Sequence, residues 1–120
     1  MSQSSDLGKK GEQLAAEHLR KNGYSIIKQN FVSGKAEVDI IAGKDDKIVF
    51  VEVKTRESAY LSDPSLMVPM KKQKQIIKAA DAYLKEFADE QNPRFDIIAI
   101  VTNSDYTKID HIEDAFYPTL

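Results

Sequence analysis

The chain has 120 residues, 42% hydrophobic and 30% charged, with a formal net charge of −2 and no cysteine. Those figures describe one globular domain of ordinary size and not a disordered segment. They exclude disulfides and thiolate zinc sites, and they lack the basic excess that usually announces a nucleic-acid binder. No run approaches the roughly 20 apolar residues of a membrane-spanning helix, and Met1 to Asp6 lack the charged and apolar regions of a secretion signal. The expectation is a soluble, cytoplasmic domain over residues 1–120, with no membrane contact and its oligomeric state open.

Residues 1–5 are polar and expected to fray. Asp6 is an N-cap for a helix running to Asn22, where Asn22-Gly23 is a stop signal. On the helical wheel Leu7, Gly11, Leu14, Ala15, His18 and Leu19 share one side, and Glu12 sits at its edge, suited to half burial. Tyr24 to Phe31 reads as a first strand. Ser33-Gly34 turns into a second strand, Lys35 to Ala42, and Gly43 to Asp46 is a hairpin-type turn into a third, Lys47 to Thr55. The apolar run Ile48 to Val51 predicts a central strand covered on both faces. Residues 56–69 form a loop long enough to suggest function. A helix follows from Pro69 or Met70 to Ala88, with Ile76, Ile77, Ala80, Tyr83, Leu84 and Phe87 as its apolar stripe. Asn92-Pro93 ends that element. Arg94 to Val101 is a further strand, and Lys108 to Ile112 a short edge strand. Hairpin-linked strands followed by a crossover helix give an α/β fold: a mixed central sheet flanked by helices.

The second and third strands carry charge inside apolar sequence: Glu37 and Asp39 on one, Glu52 and Lys54 on the other. Charge buried in a sheet is costly unless paired or bound to metal. Side by side, these strands bring Asp39 and Glu52 together at one end of the sheet. Two hard carboxylates suit Mg²⁺ or Mn²⁺, with a phosphodiester completing the shell. Lys54, two residues past Glu52, projects on the same face, where it can hold an attacking water or neutralise charge on a phosphoryl oxygen. Glu12 can join from the first helix as an outer ligand or water acceptor. Against this stands a plain reading: Glu-x-Lys on a strand is common, and Asp39 can simply pair with Lys54. Glu37 reads first as an ion-pair partner of Lys35 or Lys54, and otherwise as a supporting residue behind the metal or a ligand to a second metal.

The pattern Gly8-x-x-Gly11-Glu12-x-x-Ala15, then Ala36 to Ala42, then Val49 to Arg56, resembles the YraN family of small bacterial proteins, assigned to the restriction-endonuclease-like superfamily. The likeness continues through Lys71 to Leu84, Arg94 to Ala99 and Ile109 to Phe116. It implies a restriction-endonuclease-like αβββαβ core of the PD-(D/E)xK type, with Asp39 and Glu52 as its acids and Lys54 as its catalytic lysine. Glu12 matches the helix acid of archaeal Holliday-junction resolvases. The chain departs from the family at Ala36, where Gly is usual, and after Arg56, where a Phe-Gly is expected.

The leading expectation is therefore a Mg²⁺- or Mn²⁺-dependent nuclease acting on branched or duplex DNA in repair or recombination, with room for a protein partner. Two other readings stand beside it: a non-catalytic DNA-structure-binding or protein-interaction module that keeps the fold, and a purely structural salt-bridged sheet. Arg56, Lys71, Lys74, Lys78 and Gln73 are candidate nucleic-acid contacts, and Lys71, Lys72, Lys74 and Lys78 make the best basic patch. The plainer reading of that patch is an ordinary solvated helix face. His18 and His111 read as structural or surface residues, and Asp96 as a partner for Arg94 with no catalytic part.

Overall fold

The computed structural model describes residues 6–59, 68–87 and 92–118; the frayed start expected at residues 1–5 and most of the long loop lie outside them. Seven elements follow in order: α1 (Asp6–Lys21), β1 (Ser25–Ser33), β2 (Ala36–Lys44), β3 (Lys47–Arg56), α2 (Met70–Phe87), β4 (Asn92–Thr102) and β5 (Thr107–Phe116). The strands form one mixed sheet in the order β1-β2-β3-β4-β5. Every neighbouring pair is antiparallel except β3 and β4, which run parallel and are joined across the sheet through α2.

α1 packs chiefly on β3 and α2 chiefly on β2. Two cores result, one per face. Ala15, Ala16 and Leu19 of α1 bury against Ile40, Val49, Val51 and Ile98. Ile76, Ala79, Ala80 and Tyr83 of α2 bury against Val38, Phe50, Phe95 and Ile97. β3 supplies both, which is why its apolar residues run without a break and why it lies at the centre. Gly23, at φ 87°, ends α1: the Tyr24 amide donates to the Leu19 carbonyl at 2.9 Å and the Gly23 amide to Arg20 at 3.1 Å, the paired closure that a left-handed residue permits. Gly11 is buried for a different reason. A Cβ there would stand 1.8 Å from the Thr55 hydroxyl oxygen, so only glycine lets α1 lie this close to the end of β3.

Three expectations need correction. Asn92 and Pro93 open β4 instead of ending the preceding helix; Pro93 sits opposite Ile48 near the start of the pairing, where a strand tolerates a missing amide. The last strand runs ten residues, Thr107–Phe116, double the span expected, because Ile109, Ile112 and Ala115 are half-buried against the sheet. Phe87 is 60% exposed; it lies one turn past Tyr83, where α2 has cleared the sheet, and makes an aromatic contact to that residue.

Candidate functional site

The site is built by a fork between two strands. β2 and β3 pair from Lys44↔Lys47 as far as Ile40↔Val51. Beyond that, residues 36–38 of β2 stay with β1, and residues 52–56 of β3 stay with β4. At the apex the Asp39 carboxylate takes over from the ladder: the Val53 amide donates to its Oδ2 at 2.8 Å. The alternation of β2 slips here too. Val38 and Ile41 both face α2, whereas Ile40 and Ala42 face α1. The neighbouring Asn30 of β1 takes φ 54°, a left-handed conformation that asparagine tolerates. The distortion turns the Asp39 carboxyl toward β3.

Glu52 is the first residue of β3 past the fork and is only 4% exposed. Its carboxyl and that of Asp39 are in hydrogen-bonding contact. Burial, the charge of Glu52, the hydrogen bond that a protonated Asp39 gives Glu52, and the charge of Glu12 together hold the Asp39 pKa well above the usual carboxylate range, against the opposing pull of the Val53 amide. Glu12 lies at the same mouth, carried there by the Gly11 approach. Its pKa is also raised, by burial, then by the charges of Glu37 and Glu52, and a hydrogen bond from Asn30 works in the other direction. Two cations answer these acids. Lys54 Nζ stands 3.8 Å from Glu52 Oε2, on the same strand and one-third exposed at 33%. Lys72 Nζ comes from α2 to 3.3 Å of the same oxygen.

Asp39, Glu52, Lys54 and Glu12 are thus brought together, and Glu37 acts on the cluster through its charge on Glu12. Among the described residues no three His, Cys, Asp or Glu side chains form a ready-made metal cage. The donor set is two touching carboxyls with a third acid nearby. Arg56 ends β3 and is exposed. Lys71, Lys74 and Lys78 are exposed on α2. Gln73 is turned back on its own helix start, donating to the Val68 carbonyl at 3.0 Å.

Lys72 is the residue whose part in the site sequence reasoning missed, since it counted only as one lysine of a basic patch. The signal was present: Lys72 precedes Ile76 by four residues, so it stands one turn along the buried stripe and leans toward the sheet.

A second polar cluster lies beyond β3. Asp96 of β4 is fully buried. Arg94 donates to both its oxygens, Nε at 2.9 Å and Nη2 at 2.8 Å, the Asp114 amide donates at 3.0 Å, and His111 Nε2 lies 2.7 Å away. His111 Nδ1 meets His18 Nε2 of α1 at 3.1 Å, and Arg94 also donates to the Tyr24 hydroxyl. The two histidines therefore belong to one part-buried relay, the structural of the two parts expected of them.

A family profile described as "Uncharacterised protein family UPF0102" matches residues 11–100. The chain is 47% identical to a "UPF0102 protein" of Flavobacterium johnsoniae over 98% of both chains. It is 42% identical to one of Bacteroides thetaiotaomicron over 100% of this chain and 99% of the relative, and 44% identical to one of Christiangramia forsetii over 98% of both.

Proposed function

The chain belongs to the UPF0102 family, and within it we propose a metal-dependent nuclease that hydrolyses DNA phosphodiester bonds at a restriction-endonuclease-like core. One observation carries this reading: Asp39 and Glu52 touch at the mouth of the β2–β3 fork, with Lys54 on the same face as Glu52. Buried carboxyls in contact repel unless one is protonated or a cation lies between them. Two hard oxygen donors beside a partly exposed lysine fit Mg²⁺ or Mn²⁺, ions that keep several waters and take one or two carboxylates plus phosphate oxygens. When bound, such an ion supplies Lewis-acid stabilisation of phosphoryl charge and a water of lowered pKa.

The chain's own residues supply positioning. The Val53 amide fixes one oxygen of Asp39 and leaves the other for the cation. The Lys54 ammonium holds the attacking water or meets charge growing on a phosphoryl oxygen. Glu12 assists from α1 through the cation or a water. Water is the nucleophile: its oxygen forms the new P–O bond, the ester P–O bond breaks, and the proton released neutralises the leaving oxygen.

The reading is tested by a cleavage assay on duplex, flapped, branched and single-stranded DNA with Mg²⁺ or Mn²⁺, beside calorimetry with Mn²⁺. Glu52→Gln and Lys54→Ala are each expected to lower the rate by about 10²-fold or more, the scale of losing one preorganised electrostatic group. Cleavage that survives Glu52→Ala and Lys54→Ala unchanged, or wild-type protein that takes up no Mn²⁺, would sink it.

A further inference from the structure

Beside the fork, the β1–β2 turn and α2 form the walls of a trough, polar at its inner end and more apolar farther out. Its inner part, about 280 Å³, is lined by Val32, Gly34, Lys35, Glu37, Lys72 and Gln75. A continuation of about 320 Å³ shares Gly34, Lys35 and Gln75 and reaches Lys78. Three lysines and one acid line it, in a chain whose formal net charge is −2. Gly34, at φ 60°, keeps the rim low: a Cβ there would have nothing within 4 Å. The inner end is Lys72, whose ammonium stands closer to Glu52 than that of Lys54 does, 3.3 Å against 3.8 Å.

That contact has a chemical meaning. Glu52 is one of the two proposed cation ligands, and an ammonium already faces its Oε2. The Lys72 side chain is 43% exposed, so it is free to swing. A divalent ion on Glu52 repels an ammonium so close, and the nearest new anion for that ammonium is a phosphate. Lysine suits the exchange, being a point charge with three donors on a flexible stem.

Building on the nuclease reading, we propose that this trough seats one nucleic-acid strand, its phosphates on Lys35, Lys72 and Lys78, and that Lys72 leaves Glu52 for a phosphate as the cation binds. The strand is recognised through its phosphodiester backbone, whether it comes from single-stranded DNA or from one strand of a duplex. The trough reaches the carboxyl pair through Lys72 and extends from there toward Lys78, so it also sets the direction in which the strand leaves the site.

The test uses full-length protein, labelled single-stranded and duplex DNA with Ca²⁺ to hold back cleavage, and calorimetry with Mn²⁺ alone. Removing two phosphate contacts with Lys35→Ala/Lys78→Ala is expected to flatten the log–log salt slope by about 1.4 on single strands and about 1.8 on duplex. The arm showing the larger loss of affinity identifies the source of the strand. Lys108→Ala, at the opposite edge of the sheet and paired with Asp110, leaves both slopes as in wild type. Lys72→Met is expected to bind Mn²⁺ up to about fivefold more tightly, the worth of a half-exposed ion pair, while its strand affinity falls; Lys72→Arg restores both. If Mn²⁺ binds wild type but not Glu52→Ala, and the trough variants keep wild-type slopes, the trough assignment is overturned while the metal site stands. If wild type takes up no Mn²⁺, both fall together.

Discussion

Asp39 on β2 and Asp96 on β4 flank β3 almost level with one another, since Ile40 and Asp96 both lie opposite Val51. Asp96 is surrounded by donors: Arg94 twice, the Asp114 amide and His111. Burial alone would raise its pKa, but these hydrogen bonds and the charge of Arg94 outweigh burial and hold it below 3.8. Asp39 receives the Val53 amide and then faces two further acids, so its pKa goes the other way. One carboxylate completes the fold and the other strains it. On the nuclease reading, the second kind is the carboxyl kept for a cation.

The comparison breaks most visibly if both residues are removed. Asp96→Ala leaves Arg94, 15% exposed, without its main partner, and should cost about 3–5 kcal/mol in urea unfolding. Asp39→Asn keeps an acceptor for Val53, and in chelator-treated protein it should unfold at the same or higher denaturant. Equal losses for the two would erase the distinction.

Mn²⁺ sharpens it next. At a hundredfold excess over its dissociation constant a ligand adds about 2.7 kcal/mol of stability. The melting temperature should rise accordingly in wild type and in His111→Gln, but not in Asp39→Asn. Gly11→Ala attacks the helix that brings Glu12 to the fork. It should destabilise by about 1–3 kcal/mol through overpacking on Thr55 and slow cleavage beyond that loss, a melting curve and a rate being read on the same preparation.

The smallest effect is pH dependence without metal. A carboxylate with a lowered folded pKa stabilises above its unfolded value and loses that contribution as pH falls through its folded value. Asp96 should therefore weaken the fold as pH drops below 3.8. His18, lowered by burial and by His111, adds loss in the same direction once pH falls below 6.5. Asp39 has the opposite sign: its raised pKa adds stability as pH falls toward 3.8, lost again as pH rises through the folded value. Denaturant titrations of wild type, Asp96→Asn and Asp39→Asn across this range should separate the slopes; parallel curves for the two variants would contradict the comparison.

Much of the molecule was legible before its coordinates. The apolar run of β3 announced the centre of the sheet, and the charged residues inside β2 and β3 announced a cluster of charge, because charge in sheet core needs a reason. Asp39, Glu52, Lys54 and Glu12 assemble as their positions on strands and helix imply. The fork itself was not legible, since a regular strand predicts continued pairing, and it is a side-chain carboxylate that ends it. The relay from His18 to Asp96 was hidden for a related reason: its members come from α1, β4 and β5, and nothing in the spacing of two histidines tells which strands will separate them. Lys72 was misjudged because counting charge along a helix ignores which turn points at the sheet.

The parallel pairing of β3 with β4 bears on how the chain reaches this state. β2 and β3 meet across a tight turn in which Asp45 takes φ 56°, so the hairpin holding Asp39 and Glu52 closes a short loop at small entropic cost. β4 can join β3 only after the whole of α2 has been laid down between them. Its pairing is a long-range contact of the kind that slows folding. The acids should thus meet early, in a half-built sheet whose exposed β3 edge awaits β4.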